Sequence, residues 1–172
     1  MINYDLTKIK SVIFDIDGVL SSNTVPMDVN GEPSRTLNIK DGYAIQLAGK
    51  VGLRIAIITG GCSDSIMKRY NMLGVDDVYM KCSMKTEQYE QYKAKYNLMD
   101  DEIIYVGDDI PDYHVMKQCG CACCPADACH EIKDISIYIS QYNGGCGVGR
   151  DVIEQVLRAK GLWMNKAEAF GW

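Results

Sequence analysis

Val12-Ile13-Phe14-Asp15-Ile16-Asp17-Gly18-Val19-Leu20 is the stretch around which the chain is organised. The apolar run from Val12 to Phe14 reads as a buried strand, and it ends in two carboxylates one residue apart. Side chains of an extended chain alternate, so Asp15 and Asp17 share one side and Ile16 takes the other. Gly18 lets the backbone turn away with no Cβ in its path. Two carboxylates crowded at a strand end repel each other, and a divalent cation would relieve that repulsion.

The pattern recurs along the chain. Leu53 to Ile58 is a second apolar run, ending in Thr59-Gly60-Gly61, and Val78 to Met80 a short third. Ile103 to Val106 is a fourth and runs into Gly107-Asp108-Asp109-Ile110-Pro111-Asp112. Cys121 to Cys124 and the alternating Ile135 to Ile139 add two more strands. Between them the spacing predicts helices. Asp41 would cap one over Gly42 to Val51, with Ala44, Leu47, Ala48 and Val51 on one face. Ser63 or Asp64 opens the next, which carries Ile66, Met67, Tyr70 and Leu73 and stops at Gly74. Lys85 to Tyr96 follows, its tyrosines 89, 92 and 96 reading as packing. Further helices are expected after Pro111 to about Gln118, over Ala128 to Ile132, and over Gly149 to Ala159. Asn143 to Gly147 reads as a flexible loop.

Between the first strand and the first helix, Thr24 to Val29 and Arg35 to Ile39 flank Asn30-Gly31, the signal of a type I′ β-hairpin. This insert, about residues 22–39, leaves the body beside the carboxylates and could stand over them. Strands alternating with helices imply an α/β, Rossmann-like three-layer sandwich around a mostly parallel sheet, in one domain over residues 1–172. In such sheets ligands bind beyond the carboxyl ends of the strands. Asp15 and Asp17, Thr59 and Gly60, and Asp108 and Asp109 all stand at those ends.

The 172 residues, 47% hydrophobic and 24% charged, suit a globular domain with a full core. A net charge of −5 argues against general nucleic-acid binding. The first ten residues lack the apolar stretch of a signal peptide, and nowhere do 18 apolar residues run together, so a cytoplasmic protein with no membrane attachment is expected. Of eight cysteines, five fall between Cys119 and Cys129. A disulfide framework is out of place in such a chain. Zinc, with His130 nearby, is the sharper reading, but no second CxxC pair follows and Cys121, Cys123 and Cys124 look like small core residues.

With these motifs in place, the chain resembles the haloacid dehalogenase-like superfamily of phosphotransferases over Lys10 to about Lys160. Asp15-Ile16-Asp17-Gly18-Val19 resembles its first motif, Ile57-Ile58-Thr59-Gly60 the second, Lys85 the third and Gly107 to Asp112 the fourth. The insert, Asn38-Ile39-Lys40-Asp41-Gly42, and Gly144-Gly145-Cys146-Gly147-Val148-Gly149-Arg150-Asp151 resemble the compact, capless branch containing 3-deoxy-D-manno-octulosonate (KDO) 8-phosphate phosphatases. Met84, where the branch usually has Asp, and Cys146, where it usually has a basic residue, depart from the pattern.

The resemblance implies a phosphoric monoester hydrolase of lipopolysaccharide sugar biosynthesis acting through an aspartyl-phosphate. Asp15 would be the nucleophile and Asp17 the general acid and base. Mg²⁺ would lie on Asp15, the backbone carbonyl of Asp17, and Asp108. Thr59, Gly60, Gly61 and Lys85 would hold the phosphoryl group, with Asp109 and Asp112 supporting Lys85 and the metal shell. The sugar acid's carboxylate calls for further cations, for which Lys40, Arg69 and Arg150 are candidates. The branch also implies a homotetramer with each site completed by a neighbour, and Val25, Met27 and Val29 give the insert an apolar face to bury.

Rival readings are a nine-carbon (KDN) 9-phosphate phosphatase, a general sugar-phosphate phosphatase, a non-catalytic oligomerisation module of the same fold, and a redox or metal-storage protein using the cysteines. Nine-carbon relatives tend to carry charge just after the second motif, where this chain has Gly61-Cys62-Ser63. Finally, the tail from Gly161 holds Trp163, Phe170 and Trp172, which are expected to dock on the domain or across a subunit boundary.

Overall fold

The computed structural model describes residues 1–165 and 167–171. Six strands form one sheet: β1 (Ser11–Phe14), β2 (Arg54–Ile58), β3 (Asp77–Tyr79), β4 (Ile103–Val106), β5 (Cys121–Cys124) and β6 (Tyr138–Ile139). Their order is β3-β2-β1-β4-β5-β6, and every pairing is parallel. Each crossover carries a helix: α1 (Ile39–Lys50), α2 (Asp64–Met72), α3 (Lys85–Tyr96), α4 (Tyr113–Gln118) and α5 (His130–Ile135), with α6 (Val148–Ala159) last. The strand order runs outward in opposite directions from β1 and β4, so the crevice between their carboxyl ends is the switch point where such sheets take ligands.

Alternation along the strands divides the core into two layers. Val12, Phe14, Ile55, Ile57, Ile104, Val106, Cys121 and Cys123 pack towards α1, α2 and α6. Ile13, Ala56, Ile58, Tyr105, Ala122 and Cys124 pack towards α3, α4 and α5. Tyr89 and Tyr92 are fully buried in the second layer, where Tyr92 Oη lies 2.7 Å from Ser11 Oγ. All eight cysteines are free, and Cys121, Cys123 and Cys124 are fully buried strand residues.

Four local expectations change. Asn38 caps α1, accepting from the Lys40 and Asp41 N–H groups, so the helix begins at Ile39. Asp41 instead reaches across to α6 and accepts the Arg150 N–H at 2.6 Å. Burial, the largest influence, raises the Asp41 carboxyl to about 6. Of the segment 135–139, expected as strand, Ile135 instead ends α5 and Ser136 caps it, and the strand itself is only Tyr138–Ile139, paired with β5.

The third change is the insert. It is a ribbon joined by one antiparallel bridge, Met27 to Pro33, not a laddered hairpin. Pro26 and Pro33 have no N–H to give a ladder. The turn spans Asp28–Gly31 and is not type I′, because Gly31 (φ +80°) is left-handed and Asn30 is not. The Asp28 carboxylate accepts the N–H groups of Asn30 and Glu32 and pulls the turn one residue earlier.

The loop Asn143–Gly147 is packed, not loose. The Gly145 N–H donates to the Val19 carbonyl and the Gly144 N–H to Asp127. A Cβ on Gly144 would lie 2.0 Å from the Gly18 carbonyl oxygen, so only glycine allows this approach. Of the tail aromatics, Trp163 docks on its own domain, edge-on to Tyr43 with the Arg150 guanidinium 4.4 Å from its ring. Phe170 is exposed, and Trp172 lies outside the described residues.

Candidate active site

The motif residues converge on a cleft of about 440 Å³ at the carboxyl ends of β1, β2 and β4. Asp15, Asp17 and Gly18 line it from the end of β1, and Thr59, Gly60 and Gly61 from the end of β2. Lys85 comes from the start of α3, and Asp108, Asp109 and Asp112 from the loop after β4.

Its floor is a buried charge cluster. Lys85, only 5% exposed, sets its ammonium 2.8 Å from Asp15 Oδ2 and 2.7 Å from Asp112 Oδ1. Asp112 also accepts the Tyr105 hydroxyl at 2.8 Å and the Asp108 N–H at 3.3 Å. One oxygen each from Asp15, Asp108 and Asp112 lies within 4.8 Å of the others. One ammonium cannot neutralise three carboxylates. Burial first, and then the charge of Asp112, push Asp15 up to about 6. Burial, Asp15 and Asp112 push Asp108 up to about 8. Burial alone would lower Lys85, but Asp112 and Asp15 outweigh it and hold the ammonium above its usual value.

The cluster fits a hard divalent cation. Asp108 Oδ1 is buried with no hydrogen-bond partner among the described residues, and an oxygen left this way is costly unless something binds it. The donors are all carboxylate oxygen, which suits Mg²⁺. Gly18 keeps the place open: at φ +82°, a Cβ there would fall 1.9 Å from Asp108 Oδ2.

Thr59 is buried, and its hydroxyl accepts the Gly61 N–H at 3.1 Å, which shapes the second wall. Asp17 stands apart from the carboxylate cluster. Its oxygens accept Arg35 Nε at 2.7 Å and Arg35 Nη2 at 2.9 Å.

No protein-family profile matches the chain. It is 33% identical over 153 residues to 3-deoxy-D-manno-octulosonate 8-phosphate phosphatase of Escherichia coli K12, covering 89% of this chain and 81% of that protein. The chain belongs to that phosphatase family. The family's enzyme from Yersinia pestis has a solved structure that superposes with a TM-score of 0.89 at 31% identity, covering 92% of this chain and 85% of that one. The Moraxella catarrhalis phosphatase, solved with magnesium ion, phosphate ion and KDO, superposes at 0.87 with 27% identity, covering 91% and 90%. The superfamily resemblance in the motifs and the all-parallel α/β fold agree with this membership.

Some family-derived expectations land elsewhere in one subunit. Lys40 and Arg150 line a separate hollow of about 310 Å³ together with Arg158 and Glu154. There Arg150 pairs with Glu154 at 2.6 Å. Arg69 lies behind the ribbon, against Gly42. Asp109 is on the exposed rim, and the carboxylates that grip Lys85 are Asp15 and Asp112. Sequence reasoning gave Asp112 only a supporting part, although it is an equal member of the carboxylate cluster. It passed over Arg35 altogether. The available signal was that Arg35 is the one arginine or lysine between Lys10 and Lys40.

Proposed function

We propose that this chain is a Mg²⁺-dependent phosphatase that releases inorganic phosphate from KDO 8-phosphate through an aspartyl-phosphate. The observation that carries this reading is the buried Asp15–Asp108–Asp112 cluster with one unpartnered oxygen and a single lysine across it. Two further features support it: family membership, and a solved relative holding magnesium, phosphate and KDO.

Asp15 attacks phosphorus with one carboxylate oxygen, and the bond from phosphorus to the sugar oxygen breaks. Asp17 gives that oxygen its proton, then takes a proton from the water that cleaves the aspartyl-phosphate and restores Asp15. Lys85, fixed by Asp112, holds a phosphoryl oxygen, and the Thr59 hydroxyl and Gly60 N–H take the others. Asp15, Asp108 and Asp112, together with the Asp17 carbonyl, would hold Mg²⁺, which would supply charge against the phosphoryl oxygens. Phosphoryl transfer needs little beyond such positioning and charge.

The one-domain reading over residues 1–172, the cytoplasmic location and a homotetramer belong to the same proposal. Met27, Val29, Leu37 and Ile39 are exposed along the ribbon and its exit, as an intersubunit surface requires. In such an assembly Lys40, Arg69 or Arg150 would meet substrate across a subunit boundary. Among the described residues no helix is long and apolar enough to cross a membrane.

The test is phosphate release across a panel of sugar phosphates, with Mg²⁺ and with EDTA. The eight-carbon acid is expected to turn over fastest, ahead of the nine-carbon acid and neutral sugar phosphates, and only with Mg²⁺. No Mg²⁺-dependent release from any ester would leave the non-catalytic module as the reading.

A further inference from the structure

We infer that Arg35, reaching in from the ribbon of the same subunit, is the residue that positions Asp17 for proton transfer. The inference rests on the phosphatase reading above and goes beyond it, because the family motifs do not include the ribbon's arginine.

The geometry is specific. Arg35 grips Asp17 with a two-pronged fork, Nε to Oδ1 at 2.7 Å and Nη2 to Oδ2 at 2.9 Å, which fixes both the place and the plane of the carboxylate. The arginine is the more deeply set partner, with 11% of its side chain exposed against 37% for Asp17. Arg35 therefore sits behind Asp17 and leaves it facing the cleft. A third element completes the arrangement. A Cβ on Gly61 would fall 2.6 Å from Arg35 Nη2 and 3.2 Å from Asp17 Oδ2, so the glycine just after the second motif forms the wall that the pair leans on. The ribbon, the turn after β1 and the loop after β2 meet at this one contact.

Stability does not explain the arrangement well. Arg35 Nη1 is buried with no partner among the described residues, and an unanswered charged donor costs free energy. The ribbon is otherwise held by few internal bonds, so a fork at its root ties a loose element to the one carboxylate whose aim decides proton transfer. Misplacing such a group by about 1 Å can cost on the order of 10²-fold in rate.

The experiment is a leaving-group series of alkyl and aryl phosphates with Mg²⁺, following the first burst of alcohol or phenol release. It compares wild type with Arg35→Gln and Arg35→Lys. Wild-type activity on this series is measured first, and its absence would refute the phosphatase reading itself, before any Arg35 variant is compared. Arg35→Gln is expected to slow release from alkyl esters roughly 30-fold through kcat, with KM little changed. Its loss on 4-nitrophenyl phosphate, whose leaving group needs no proton, should be at least about tenfold smaller. Lysine, which keeps the charge but not the fork, should recover part of the alkyl rate. Circular dichroism and Mg²⁺ titration of each variant report whether the fold and the metal site persist. Equal losses on alkyl and aryl esters, or a loss carried by KM, would overturn the inference and leave Arg35 as a strap for the ribbon.

Discussion

The floor of the cleft and the ribbon beside it each place a cation on a carboxylate that lines the cleft, yet they are held in opposite ways. Lys85 sits between Asp15 and Asp112 at the ends of central strands, where two core layers and the sheet fix every partner. Arg35 comes from a segment with one backbone bridge and with Val29 fully exposed at its tip. The floor's carboxylates are too many for their single lysine, so that region is built at a cost that metal binding relieves. The ribbon gives Asp17 a fork while leaving Arg35 Nη1 without a partner among the described residues, and a single backbone bridge joins its two arms. Rigid elements thus carry the groups that must not move, and a lightly held one carries the group that aims Asp17.

Four measurements test this contrast. The largest effect is expected from Asp15→Asn, which keeps the volume but removes the attacking oxygen. Mg²⁺-dependent phosphate release should fall by roughly 10³-fold or more. A variant retaining a tenth of the activity would move the chemistry off the floor.

Gly18→Ala comes next. Its Cβ would collide with the Asp108 carboxylate in a backbone conformation that alanine resists. Mg²⁺ affinity by isothermal titration calorimetry should weaken about 10- to 100-fold, as for other changes that misalign a ligand. Unaltered affinity would exclude Asp108 from the metal site.

The third test uses pH. In the metal-free folded protein Asp15 keeps its proton up to about pH 6 and Asp108 up to about pH 8. In the unfolded chain both lose it near pH ~4. The folded state therefore binds more protons between those limits, and these two groups make stability fall as pH rises through that window. Mg²⁺ binds the deprotonated cluster, so the gain in Tm on replacing EDTA with Mg²⁺ should grow up to about pH 8 and then level off. A gain independent of pH would mean the floor is not the metal site.

The smallest effect belongs to the ribbon tip. Within one subunit Val29 is fully exposed, so Val29→Asp should change the unfolding free energy of dilute protein by less than about 0.5 kcal/mol. Under the proposed assembly the same change should lower the mass seen by light scattering. A wild-type mass would place the ribbon tip outside the subunit interface.

Most of the floor was legible in the chain itself. Strand ends announce themselves by an apolar run that stops: Asp15 and Thr59 directly follow β1 and β2, and Asp108 and Asp112 lie in the segment after β4. The alternation of strands and helices pointed to a mostly parallel sheet, while the order β3-β2-β1-β4-β5-β6 came from the structure. Local signals misled where a competing side chain takes the same backbone groups. Asp41 has the chemistry of a helix cap, but it is drawn to α6 while Asn38 takes the cap on α1. Asn30-Gly31 signals one turn, but the Asp28 carboxylate imposes another.

By itself, then, the sequence determined the α/β class, the strand ends that form the cleft and the acids that stand there, because periodicity and turn chemistry act over a few residues. Tertiary packing was needed to show that Arg35 meets Asp17 across 18 positions, that Lys85 bridges Asp15 and Asp112, and that Lys40, Arg69 and Arg150 lie away from this chain's cleft. Pairings of that kind depend on which surfaces the sheet order brings together, and long charged side chains reach too far for spacing along the chain to fix their partners.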